Sequence, residues 1–158
     1  MKKLLCIYCL LCMTALACAQ NLKFNANGKF KIVQFTDVHY IFNDPRAEVA
    51  IERINEVLNA ENPDLVMFTG DVIYGKPAEK SMRTVLEQVS KRKIPFAVTF
   101  GNHDDEQGLS REKLFEIIEN IPYSLTATTK GVSGTTNFIL PVKSSDGQKD
   151  AEILYVFD

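Results

Sequence analysis

Three stretches of this chain end alike, and they govern what it can fold into. FKIVQFTD (30–37), DLVMFTGD (64–71) and IPFAVTFG (94–101) are continuous apolar runs, not alternating ones. Each stops at polar residues: Thr36-Asp37-Val38-His39, Gly70-Asp71-Val72-Ile73-Tyr74 and Gly101-Asn102-His103-Asp104. Such runs read as strands covered on both faces, as in a parallel sheet with helices on each side. The spacers carry the helices. Pro45 opens the first at a position where its missing N–H costs nothing. Ala47, Ala50, Ile51, Ile54, Val57 and Leu58 then recur at helical spacing until Asn62-Pro63 stops them. Met82, Val85, Leu86 and Val89 mark a second amphipathic helix. Ser110 caps a third, with Leu114, Ile117, Ile118 and Ile121 on one face, ended before Pro122. Beyond it, TTNFILPV (135–142), the turn Ser144-Ser145-Asp146-Gly147 and AEILYVFD (151–158) read as an antiparallel hairpin. The expected fold class is α/β: a layered β-sheet with flanking helices, ending in that hairpin.

The 158 residues are one domain's length. A formal charge of −2 supplies no basic field for nucleic acid, and no motif points to a protein partner. The N-terminus, MKKLLCIYCLLCMTALACAQ, has two lysines, an apolar run from Leu4 to Leu16, then small residues. This is the plan of a secretory signal peptide over 1–19, with cleavage before Gln20 after Ala17-Cys18-Ala19. Ala15-Leu16-Ala17-Cys18 is also a loose lipoprotein signal, which would make Cys18 a lipid anchor. A transmembrane anchor is a third reading, although the apolar run is shorter than the about 20 residues a span needs. The protein is thus expected to be exported: periplasmic, secreted or an outer-membrane lipoprotein. All four cysteines, Cys6, Cys9, Cys12 and Cys18, lie in this segment. Cleavage before Gln20 leaves no thiolate, so oxygen and imidazole must hold any metal.

In a parallel sheet the three strand ends share one edge, the usual place of an α/β active site. Asp, His and Asn are hard-to-borderline ligands suited to Mn, Fe or Zn. Asp37 and His39, two apart in extended backbone, point the same way and can chelate one ion. Asp71 on the next strand can bridge two. Gly70 and Gly101 let the backbone turn sharply there. Each piece alone has another reading. Asp-x-His or Gly-Asp after a strand also serves as turn chemistry, and Asn-His-Asp-Asp as a capping cluster for the following helix.

Asp37-Val38-His39, Gly70-Asp71 and Gly101-Asn102-His103-Asp104 resemble, in order and spacing, the first three motifs of the calcineurin-like metallophosphoesterases. The resemblance covers most of the chain after residue 28. Gly70-Asp71-x-x-Tyr74 is similar to the purple acid phosphatase version, in which the tyrosine binds iron. His39 is similar instead to the purple-acid-phosphatase-like proteins that keep Asp-x-His. Tyr74 reads more simply as a core tyrosine flanking a strand. The resemblance implies two divalent or trivalent metal ions (Mn, Fe or Zn). Asp37, His39 and Asp71 would hold one, and Asp71 and Asn102 the second. A hydroxide between the ions would attack phosphorus in line. His103 would be the catalytic acid for the leaving oxygen, or a donor to the phosphoryl group, with Asp104 orienting its imidazole.

The family pattern continues with further histidines, including a Gly-His-x-His block, whereas His39 and His103 are the two histidines of this chain. The domain over 28–158 is therefore expected to be truncated at its C-terminus, with an apolar sheet face left in water. The expected function is an exported metal-dependent phosphoesterase acting on a phosphate-ester substrate, this chain being an incomplete, weakly active or inactive part. Two other readings stay open. One is a non-catalytic fragment that binds metal or phosphate. The other is an α/β interaction domain whose polar strand ends are only caps and turns.

Overall fold

The computed structural model describes residues 22–158. The signal-peptide and Cys18 readings lie outside them. In chain order the elements are β1 (Ile32–Phe35), α1 (Glu48–Glu61), β2 (Leu65–Thr69), α2 (Ala78–Ser90), β3 (Phe96–Thr99), α3 (Arg111–Glu119), β4 (Phe138–Lys143) and β5 (Asp150–Val156). A 3₁₀ turn, Asp104–Gln107, precedes α3. Strands β1, β2 and β3 form a parallel sheet in sequential order, and β4 pairs antiparallel with β5. The α/β class, the parallel strands and the closing hairpin all follow the sequence expectation.

The sheet is covered differently from that expectation. Alternate residues of a strand point to opposite faces. Val66 and Phe68 of β2 and Val98 of β3 bury against one face with Ile54 and Leu58 of α1, Met82 and Leu86 of α2, and Leu114 and Ile118 of α3. Leu65 and Met67 of β2 and Ala97 of β3 bury on the other with Phe138, Leu140, Val142 and Val156 of the hairpin. The second cover is thus a β-hairpin and not a helix layer, which a continuous apolar strand cannot distinguish. Strand β1 is the exception to two-sided burial: its Ile32 is 40% exposed, beyond the reach of the hairpin.

Helix α1 starts three residues later than Pro45 suggests. The Asp44 carboxylate accepts from the Arg46 N–H at 2.9 Å, and the Ala47 N–H donates to the Asp44 carbonyl, so Pro45 sits in a separate turn. The other helix signals hold. Asn62 adopts φ 44° and closes α1 with its N–H on the Leu58 carbonyl, and Ser110 Oγ accepts from the Lys113 N–H to cap α3. Among the described residues no helix is long and apolar enough to cross a membrane.

Candidate metal centre

Parallel pairing between the β1 and β2 chains continues past the strand ends. Asp37 N–H donates to the Gly70 carbonyl at 3.1 Å, His39 N–H to that of Asp71 at 2.9 Å, and Tyr40 N–H to that of Val72 at 3.0 Å. The backbone there is not extended: Asp37, His39 and Asp71 have φ of 52°, 48° and 51°. Three non-glycine residues in the left-handed region at one sheet edge is a cost that surrounding bonds must hold in place. The extended Asp37-His39 pair expected from the sequence is therefore replaced by two left-handed residues.

The third strand end approaches so closely that side chains are excluded. A Cβ on Gly101 would lie 2.5 Å from the Asp71 nitrogen, and one on Gly70 would lie 2.9 Å from the Gly101 Cα. Gly70 also needs its freedom at φ 99°. Gly101 does not; it is glycine because Asp71 occupies the space. Asp71 then serves both neighbours. Its Oδ1 accepts the His103 N–H at 2.9 Å, and its Oδ2 lies 3.4 Å from His39 Nε2.

Ligand-type atoms of His39, Asp71 and His103 all lie within 4.8 Å of one another. Asp37 is not in this group: its N–H bonds the Gly70 carbonyl, and its carboxylate accepts from the Thr36 hydroxyl at 2.6 Å. Asn102 is exposed, between Gly101 and His103. Two imidazoles and a carboxylate in one cluster are a donor set that fits borderline divalent cations.

Asp104 does not orient His103. It is fully buried, and its carboxylate accepts four backbone N–H bonds: from Asp71 at 3.0 Å, Val72 at 2.8 Å, Ile73 at 3.1 Å and Gly101 at 2.8 Å. It pins the second strand end to the third. Burial pushes its carboxyl up, and the four donors pull against that rise. The partner of the imidazole is Glu106, with Oε2 2.6 Å from His103 Nδ1. That bond raises the His103 pKa above its ordinary value and leaves Nε2 free. Sequence reasoning missed both roles. An Asn-His-Asp-Asp-Glu run does not say which carboxylate turns inward, although spacing of three from His103 to Glu106 in a helical turn is a usable signal.

Tyr74 is 48% exposed and not a core residue. Its ring stands edge-on to both imidazoles, with centroids 5.4 Å from His39 and 5.0 Å from His103. It packs against the imidazoles of the donor cluster while half of it remains exposed.

The calcineurin-like phosphoesterase sequence pattern matches residues 30–149, which include all three strand ends. The chain belongs to that family. Among similar proteins, Phosphatase DCR2 of Saccharomyces cerevisiae is 36% identical over 89% of this chain and 28% of its own length. The Arabidopsis thaliana protein named "Probable inactive purple acid phosphatase 29" is 33% identical over 75% of this chain and 35% of its own. Its relative numbered 14 is 29% identical over 88% and 42% respectively. The chain thus spans less than half the length of these relatives.

Proposed function

We propose that the chain forms the first part of the active centre of a metal-dependent phosphoric ester hydrolase. The observation that carries this is the convergence of His39, Asp71 and His103 within 4.8 Å at the ends of three parallel strands. Asp37, His39 and Asp71 would hold one cation, and Asp71 and Asn102 would hold a second of Mn, Fe or Zn type. When bound, such ions neutralise phosphoryl charge and lower the pKa of water. Asp71, placed between His39 and the His103 backbone, would be the residue common to both cations. Glu106 fixes the His103 ring by Nδ1, so that Nε2 donates to the leaving oxygen of the ester. Residues 1–19 direct export to the periplasm or beyond, or attach the protein to the outer membrane through Cys18; the mass of the mature N-terminus distinguishes these.

The test is metal uptake by the purified chain, followed by p-nitrophenyl phosphate hydrolysis with Mn²⁺ or Zn²⁺. His39→Ala and Asp71→Ala are expected to abolish uptake. Unchanged turnover in His103→Ala would remove the acid role. A second reading is metal or phosphate binding without turnover. The word "inactive" in the names of two relatives points that way. Uptake without hydrolysis would establish it.

A further inference from the structure

We propose that Arg111 and Asp158 are positioning residues that hold the Gly101-Asn102-His103 turn in its metal-binding shape. This deepens the reading above and rests on it. Arg111 is the first residue of α3. Its Nη2 donates to the Gly101 carbonyl at 2.7 Å, its Nη1 pairs with the Asp158 carboxylate, and its Nε lies 3.6 Å from Asp105 Oδ1. The Asp158 side chain is 3% exposed. Its other oxygen accepts the N–H groups of Thr135 at 2.6 Å and Thr136 at 3.1 Å, and its own N–H donates to Asn137 Oδ1 at 3.0 Å. The loop gripped in this way returns to β3: the Phe100 N–H donates to the Thr136 hydroxyl at 3.3 Å, and the Thr99 hydroxyl to the Phe157 carbonyl at 2.8 Å.

The physical need lies at Gly101. Glycine is there because Asp71 leaves no room for a Cβ, yet glycine does not restrict its own dihedrals. Both peptide groups flanking it are held from outside instead. Asp104 takes the N–H before it, and Arg111 takes the carbonyl after it. The carbonyl belongs to the peptide that leads into Asn102, so Arg111 sets the direction of that side chain and of His103. A partly buried guanidinium–carboxylate pair contributes little to net stability, but it specifies geometry.

Wild type, Arg111→Gln, Asp158→Asn and the conservative Arg111→Lys are to be compared, with Arg53→Gln, which breaks an exposed pair with Glu56, as control. Two readouts are taken: Mn²⁺ affinity by calorimetry, and the amide resonances of Asn102 and His103 in metal-free protein. Arg111→Gln and Asp158→Asn are expected to weaken Mn²⁺ binding roughly 10- to 100-fold and to shift both amides. Arg111→Lys should recover part of the affinity, and the control should match wild type. Folded variants with wild-type Mn²⁺ affinity and unmoved amides would overturn the proposal. A wild type that takes up no Mn²⁺ would remove the metal reading, and the amides alone would then decide: shifted, the clamp stands; unshifted, it falls.

Discussion

At the residue scale, two neighbouring acids do different work because one faces inward. Asp104 is a buried carboxylate with four backbone donors, and no side chain lacking its charge can satisfy them all. Asp104→Ala would leave those N–H groups unpaired in the interior, at a cost of about 4 kcal/mol, read as a lowered urea midpoint. Asp105→Ala, at an exposed position, should fall within about 0.5 kcal/mol of wild type. Glu106 acts on His103 instead. Its bond to Nδ1 raises the pKa of the ring, so Glu106→Gln should lower the His103 titration midpoint, followed by NMR in metal-free protein. The sign for stability follows from the raised value. The contribution of the pair is fully present below the unfolded histidine pKa of about 6.5 and is lost as pH rises through the higher folded value. Glu106→Gln should therefore flatten that pH dependence.

At the element scale, α2 is the central support. It packs between the other two helices and the sheet, with Met82, Val85, Leu86 and Val89 fully buried. Leu86→Ala removes three carbons from a site with little room to collapse and should cost about 3 kcal/mol in chemical unfolding. Mn²⁺ affinity of the folded fraction should stay at the wild-type value, because α2 contributes no donor to the cluster. That separation distinguishes support of the sheet from construction of its edge. The edge is built by the turns after β1, β2 and β3, which backbone bonds and the Asp71 and Asp104 carboxylates join to one another.

At the scale of the whole molecule, three layers stack: helices, parallel sheet and hairpin. The hairpin buries Phe138, Leu140, Val142 and Val156 inward and turns Ile139, Ile153, Tyr155 and Phe157 outward, the last two 66% and 73% exposed. Tyr155 lies opposite Ile139 across the strand pair, and the Tyr155 and Phe157 rings stack at 6.5 Å. An apolar face of this kind favours self-association in water. Ile139→Lys with Tyr155→Lys should reduce concentration-dependent sedimentation without changing Mn²⁺ affinity. Much of this architecture was legible in the sequence. Uninterrupted apolar runs and 3.6-residue spacing are local signals, and they named every strand and helix of the described residues and the sheet edge at which His39, Asp71 and His103 lie together. What covers each sheet face was not legible, because a buried strand carries the same residues under a helix as under a hairpin. Nor was the inward turn of Asp104, the left-handed backbone at Asp37, His39 and Asp71, or the reach of Arg111 to Asp158 across 47 positions. Those depend on which backbone groups tertiary packing leaves without partners, and separation along the chain carries no record of that.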